Sequence, residues 1–241
     1  MNSILIIGGN SDIGYAVSKV FAQNGFNVHL ASRDIVNLEI KKKEIELLYN
    51  VNCKISSLDI ENKISTNCFF DENPKAPNII LLSVGLLEKD AINNNQILNV
   101  NYLSQVTFIE KSILKYKNQK KLDTIIGISS VAGDRGKKNY NVYSSSKSSY
   151  SSYLKELRKK LQQSGIHVMT VKPGWVKTKM TKNIKLPKIM IVNVDFVGNK
   201  IFKAYVSKKN ILYVPRYWSI IMFIYRMIPE ILFSIIKKLK N

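Results

Sequence analysis

The sequence predicts an α/β protein with a doubly wound, parallel sheet and helices on both of its faces. Three observations carry that expectation. Short apolar runs recur along the chain, segments with apolar residues at helical spacing separate them, and a glycine-rich turn closes the first run. Strands buried on both faces read as unbroken apolar runs, and a helix between successive strands leads to parallel pairing.

Ser3 to Gly8 is the first strand, followed by the turn GNSDIG and an amphipathic helix from Tyr15 to Asn24. Phe26 to Ala31 is the second strand, Ile35 to Tyr49 a charged amphipathic helix, and Val51 to Leu58 the third strand. A polar segment broken by Pro74 and Pro77 leads to the fourth strand, Asn78 to Val84. Asn94 to Lys117 reads as one long helix, Asp123 to Ser129 as the fifth strand and Asn141 to Gln163 as a helix ended near Gly165. Ile166 to Lys172 is a sixth strand, stopped by Pro173. In such a sheet the ligand lies at the carboxyl ends of the strands.

At 241 residues with 45% hydrophobic side chains, the chain is long enough to bury a substantial core. Its formal charge is +20, and 32 of its 37 basic residues are lysines. A basic surface favours acidic partners such as phosphates or anionic lipid. No nucleic-acid-binding motif accompanies the charge, so no nucleic-acid partner is expected. Cys53 and Cys68 have neither ligand nor redox spacing and fit a reducing compartment. His29 and His167 sit in apolar runs and read as packed residues, so no metal site is expected. Met1 leads directly into SILIIGG without a basic leader, which points to a cytoplasmic protein.

Gly8, Gly9 and Gly14 surround the first turn, where backbone amides at a helix N-terminus can approach a pyrophosphate. The second strand ends in Ala31-Ser32-Arg33, at the place where an acidic residue would accept the ribose hydroxyls of NAD. Ser32 and Arg33 suit a 2′-phosphate instead, so NADP(H) is the expected cofactor. Asp34 leaves open a second reading, as a shifted acidic ribose ligand.

The stretch Ser130 to Lys147, SVAGDRGKKNYNVYSSSK, follows the fifth strand. Tyr143 and Lys147 are one helical turn apart, which sets an ammonium beside a phenol and favours the phenolate. That spacing also occurs at Tyr15/Lys19, Tyr116/Lys120 and Tyr205/Lys209, so context selects Tyr143: a serine pair at a strand end, a loop, then a helix start. Such a group suits proton exchange with a carbonyl oxygen held by the Ser130 hydroxyl.

With these motifs in place, the chain resembles the short-chain dehydrogenase/reductase family over residues 3 to about 210. The family's TGxxxGxG turn stands here as IGGNSDIG, with Ile7 for its threonine and Asp12 for its middle glycine. Asp59 matches the residue that meets the adenine ring, and Leu82-Ser83-Val84-Gly85 departs from the NNAG motif. Asn101, Ser130, Tyr143 and Lys147 match the catalytic tetrad, and Pro173 to Thr178 the PGxVxT segment. The resemblance implies a Rossmann fold and an NADP-dependent ketone reductase, with Tyr143 as general acid and Ser130 positioning the substrate oxygen. Lys147 would bind the nicotinamide ribose and lower the Tyr143 pKa, and Asn101 would hold a water. It further implies cofactor contacts from Gly8, Asn10, Ser11, Ile13, Gly14, Ser32, Arg33, Asp59, Ile60, Val84, Gly85, Tyr143, Lys147, Pro173, Gly174, Val176 and Thr178. Small residues beside Lys147, in SSSKSSYSS, imply a partner subunit against that helix, in a dimer or tetramer.

Residues 1–210 are expected to form the NADP-binding domain, with 211–241 an apolar and basic extension. From Asn199 to Asn241 there are nine basic residues and one acidic, and no uninterrupted apolar span of about 20 residues crosses a bilayer. The tail reads as amphipathic helices on a membrane surface, or as apolar surface buried against the domain or another subunit. The tail, the GGNSDIG turn and the GDRGKKNYNVY loop resemble the decaprenylphosphoryl-2-keto-erythro-pentose reductases. This implies a keto-sugar on a lipid phosphate, in cell-envelope polysaccharide synthesis, handled at the inner face of the membrane. Arg135, Lys137 and Lys138 read either as contacts to a substrate phosphate or as solvated charge. A soluble reductase of a small free ketone is the second functional reading, and a nucleotide-binding protein without catalysis the third.

Overall fold

The computed structural model of the chain describes residues 2–136, 140–182 and 190–229. Seven strands form one sheet in the order β3-β2-β1-β4-β5-β6-β7, parallel throughout. They are β1 (Ser3–Ile7), β2 (Asn27–Ser32), β3 (Cys53–Ser57), β4 (Ile79–Leu82), β5 (Thr124–Ile128), β6 (His167–Pro173) and β7 (Ile211–Val214). The chain builds outward from β1 to β3 and then returns to β4 on the other side of β1. That reversal opens a crevice above the carboxyl ends of β1 and β4, the usual ligand position in such sheets.

The apolar runs are continuous because the strands feed two cores. In β1, Ile4 and Ile6 join Val17, Phe21 and Ile201 on one face, while Leu5 and Ile7 join Phe108, Tyr150 and Leu154 on the other. Each such fully buried side chain contributes about 1.5–3 kcal/mol relative to exposure. The helices that cover the faces are α1 (Asp12–Gln23), α2 (Ile35–Tyr49), α3 (Lys63–Glu72), α4 (Asn94–Leu98), α5 (Ser104–Tyr116), α6 (Asn141–Leu161), α7 (Val194–Val206) and α8 (Tyr217–Met227).

The structure corrects several element assignments. Helix α1 starts at Asp12 rather than Tyr15, because the Ser11 hydroxyl caps it by accepting the Gly14 amide at 3.0 Å. Helix α3 occupies a segment read only as polar. Its start is set by Asn62, whose side chain accepts from the amides of Ile64 and Ser65, and it buries only Thr66, Phe69 and Phe70. The expected helix from Asn94 to Lys117 is split by a π-helical turn, Asn99–Leu103, centred on Asn101. Within the tail, the expected surface helix begins as a strand: β7 pairs with β6 from Thr170↔Ile211 to Pro173↔Val214. Helix α8 then packs Trp218 and Met222 into a small cluster with Val131, Trp175 and Met190. Residues 230–241 lie outside the described residues.

His29 stacks on Phe69 and shares a 2.9 Å hydrogen bond with Ser56, and burial pushes its pKa down to about 3. The His167 ring nitrogen Nε2 meets Asn210 Oδ1 at 3.2 Å. Among the described residues no helix is long and apolar enough to cross a membrane.

Candidate active site

The glycine-rich turn is built by backbone geometry. Gly8 has φ +86°, and a Cβ there would lie 2.9 Å from the Ser83 carbonyl oxygen. The turn is tied to the end of β4 by Ser11, whose hydroxyl donates to Ser83 Oγ at 2.9 Å. Gly14 lines neither of the two cavities along the crevice. It sits inside α1, where a Cβ would come within 2.6 Å of the Gly8 carbonyl, so it lets the helix close on the turn. Asp12, where a glycine was expected, accepts the Lys179 amide at 2.6 Å and joins α1 to the segment after β6.

Two adjoining cavities run along the crevice. The smaller, about 210 Å³, is lined by Gly8, Ser32, Arg33, Asp59 and Ile60. The larger, about 420 Å³, is lined by Asn10, Ile13, Tyr143, Lys147, Pro173, Gly174, Val176 and Thr178. Ser11, Val84 and Gly85 line both, as do Ser83, Leu86 and Met180, which the sequence reading did not select. Every expected cofactor residue except Gly14 therefore faces one continuous cleft. Its length, the positive-φ turn and the buried Asn10 Oδ1 without a partner fit an extended dinucleotide. Arg33 is exposed at the mouth of the smaller cavity. Asp34 is engaged elsewhere. Its carboxylate caps α2 by accepting the Asn37 amide at 3.0 Å, and its carbonyl accepts from Asn10 Nδ2 at 2.7 Å.

Ser130 stands two residues beyond β5 and caps a short 3-10 turn, Val131–Gly133, accepting the Ala132 amide at 3.1 Å. Gly133 allows that turn to rest on α6, since a Cβ would meet the Lys147 carbonyl carbon at 2.7 Å. Ser129 secures the same junction by donating to the Lys147 carbonyl at 2.9 Å and pairing with Ser151 at 2.7 Å. These contacts bring Ser130, Tyr143 and Lys147 together from two elements. Lys147 is 3% exposed, and its Nζ donates to the Ile128 carbonyl at 3.0 Å.

Burial raises the Tyr143 pKa above its ordinary value; a hydrogen bond with Ser130 opposes this, and the Glu88 carboxylate adds to the rise. The net direction is opposite to the lowering expected from Lys147. Its Nζ lies 5.9 Å from the centre of the Tyr143 ring and is directed to Ile128, and burial pushes Lys147 itself down to about 8. Glu88, unselected by sequence reading, accepts the Tyr143 amide at 3.0 Å and so anchors the start of α6.

Asn101 is fully buried. Its side chain accepts from the Leu86 amide at 2.8 Å and donates to the Leu86 carbonyl at 2.9 Å and to Ser146 Oγ at 3.2 Å. These contacts make it a brace between the cleft wall and α6. Both polar atoms of the Asn101 side chain are thereby engaged by protein groups.

A third cavity, about 490 Å³, meets the cofactor cleft at Ser130 and Tyr143. Its walls include Leu87, Trp175, Met190, Trp218, Met222 and Tyr225. Arg135 also lines it, but its guanidinium is committed to the Tyr225 and Ile228 carbonyls at the end of α8. Neither sequence reading of Arg135 included this contact with α8; Lys137 and Lys138 lie outside the described residues.

The profile described as short chain dehydrogenase matches residues 2–188. Carbonyl reductase family member 4 of Xenopus laevis is 29% identical over 189 residues, covering 75% of this chain and 78% of that protein. A putative steroid dehydrogenase 3 of Caenorhabditis elegans is 30% identical over 193 residues, covering 73% of this chain and 60% of the relative. Among solved structures, a short-chain dehydrogenase from Sphingobium yanoikuyae in complex with NADPH superposes with TM-score 0.80, at 18% identity, over 95% of this chain and 97% of that one. The profile extends over well more than half of the sequence, and the chain belongs to the short-chain dehydrogenase family of oxidoreductases, which bind a nicotinamide cofactor.

Proposed function

We propose that the protein is an NADPH-dependent reductase of a ketone, and that the ketone is a keto-sugar carried on a lipid phosphate in cell-envelope polysaccharide synthesis. The observation that carries this reading is the junction of the third cavity with the cofactor cleft at Ser130 and Tyr143. Bound NADPH supplies the hydride. Ser130 holds the ketone oxygen, and Tyr143, kept protonated by its raised pKa, donates the proton to it. Lys147, near pKa 8, returns a proton to Tyr143 from solvent. Gly8, Ser11, Ile13 and Asn10 carry the diphosphate end, Asp59 and Ile60 the adenine, and Ser32 with Arg33 the 2′-phosphate, while Val84, Gly85, Pro173, Gly174, Val176 and Thr178 enclose the nicotinamide end.

The aromatic and thioether walls of the third cavity favour an amphiphilic substrate over a small polar one. Peripheral contact with the cytoplasmic face of a membrane and assembly as a dimer or tetramer complete the reading. The test is NADPH oxidation in detergent with a lipid-linked 2-keto-pentose, alongside small ketones and 3-oxoacyl thioesters. Turnover of the lipid-linked ketose above the others supports the proposal; turnover of small soluble ketones alone supports the second reading, a reductase of a free metabolite.

A further inference from the structure

We infer that the outer face of α8 is a docking surface for an anionic phospholipid bilayer, which sets the mouth of the substrate cavity against the membrane. The inference rests on the proposed lipid-linked substrate for its purpose, but its observations are separate. Helix α8 has two apolar faces. The inner one, through Trp218 and Met222, walls the third cavity. On the outer one, Ile220, Phe223, Ile224 and Met227 are 64%, 60%, 54% and 70% exposed, at the i, i+3, i+4, i+7 spacing of one stripe.

Charge identifies the occupant. Arg216 and Arg226, both exposed, stand near the two ends of the stripe. No Asp or Glu occurs between Phe196 and Pro229, against six lysines and arginines, and the whole chain carries +20. A helix with an apolar face flanked by cations suits the interface of an anionic bilayer, where apolar burial and electrostatic attraction add. A second copy of the chain fits less well. It would set like charges against each other, and four side chains fall far short of the roughly 800 Å² per partner of a stable interface. The helix is also held firmly in place, because Arg135, five residues beyond Ser130, ties its C-terminal carbonyls to the catalytic loop.

The test is co-sedimentation of the full chain with vesicles of phosphatidylglycerol and phosphatidylcholine, compared with phosphatidylcholine alone. The wild type is expected to partition at least tenfold better onto the anionic vesicles. I220S/F223S, which leaves the cavity walls intact, is expected to lose at least tenfold of that partition, and R216Q/R226Q several-fold. In Phe223→Trp the new indole is expected to be quenched by brominated phosphatidylglycerol. Wild-type binding by I220S/F223S, with docking then residing elsewhere such as residues 230–241, overturns the inference. So does absence of wild-type binding, or a change in sedimentation coefficient without a change in lipid partition, which marks the stripe as a contact between copies. These readouts need no turnover, so failure of the lipid-linked ketose as substrate is a separate result.

Discussion

Asp134 and Lys172 form an ion pair enclosed beneath the loop that carries Ser130, with side chains 5% and 9% exposed. Asp134 also accepts the Tyr213 hydroxyl at 2.6 Å, so the loop is fastened to neighbouring positions of β6 and β7. Removing one member of a buried pair leaves the other uncompensated and costs roughly 3–5 kcal/mol. Asp134→Ala is expected to lower unfolding free energy by that order in urea titration, whereas Asp134→Leu with Lys172→Met recovers most of it. Equal losses in the single and double variants would show that the pair is not the fastening.

Tyr143→Phe removes the proton donor and keeps the ring that packs beside Lys147. Ketone reduction is expected to fall by about 10²–10⁴-fold while NADPH affinity, read by fluorescence titration, stays within a few-fold. Wild-type turnover in this variant would remove Tyr143 from the chemistry.

Arg33→Ala is expected to raise the KM for NADPH by about 10–100-fold, the range of a lost charge-assisted hydrogen bond, and to leave that for NADH nearly unchanged. Asp34→Ala acts differently, because Asp34 is the α2 cap: a loss of about 1 kcal/mol in stability is expected, with cofactor preference retained. A switch in preference in the Asp34 variant would restore its reading as a ribose ligand.

Lys147 has its folded pKa lowered from 10.5 to about 8 by burial, so its charged form is penalised in the native state below about pH 8. Between about pH 8 and 10.5 the unfolded chain binds more protons than the folded one, and this contribution to stability rises with pH. Lys147→Met is therefore expected to be more stable than wild type at pH 7, by about 3 kcal/mol before loss of the Ile128 hydrogen bond is counted, with the advantage shrinking toward pH 10. Denaturant midpoints at several pH values measure this; an advantage independent of pH would contradict a buried, charged Lys147.

Asp12→Ala is expected to expose the Lys179 amide to hydrogen exchange and to raise KM for cofactor several-fold, because Met180 and Thr181 beside it line the cleft. Asp12→Asn, whose side-chain oxygen can accept the same amide, is expected to stay near wild type. Unchanged exchange in Asp12→Ala would mean that the segment is held without it.

The sequence alone determined the alternation of strand and helix, because strands buried on both faces must be apolar throughout. It also marked the Gly8 turn and the Ser130, Tyr143 and Lys147 set, since each depends on residue types at fixed short spacing. Helix α3 escaped because its cap and two phenylalanines leave no stripe, and β7 because a four-residue edge strand looks like the start of an apolar tail. Tertiary structure alone decided that Asp34 caps a helix, that Asn101 braces Leu86 to Ser146, and that Arg135 donates to the carbonyls at the end of α8. It also buried Tyr143, which raises its pKa where spacing alone led to an expected lowering. Burial and the direction of the Lys147 amine are set by what packs around them, and spacing along one helix carries neither.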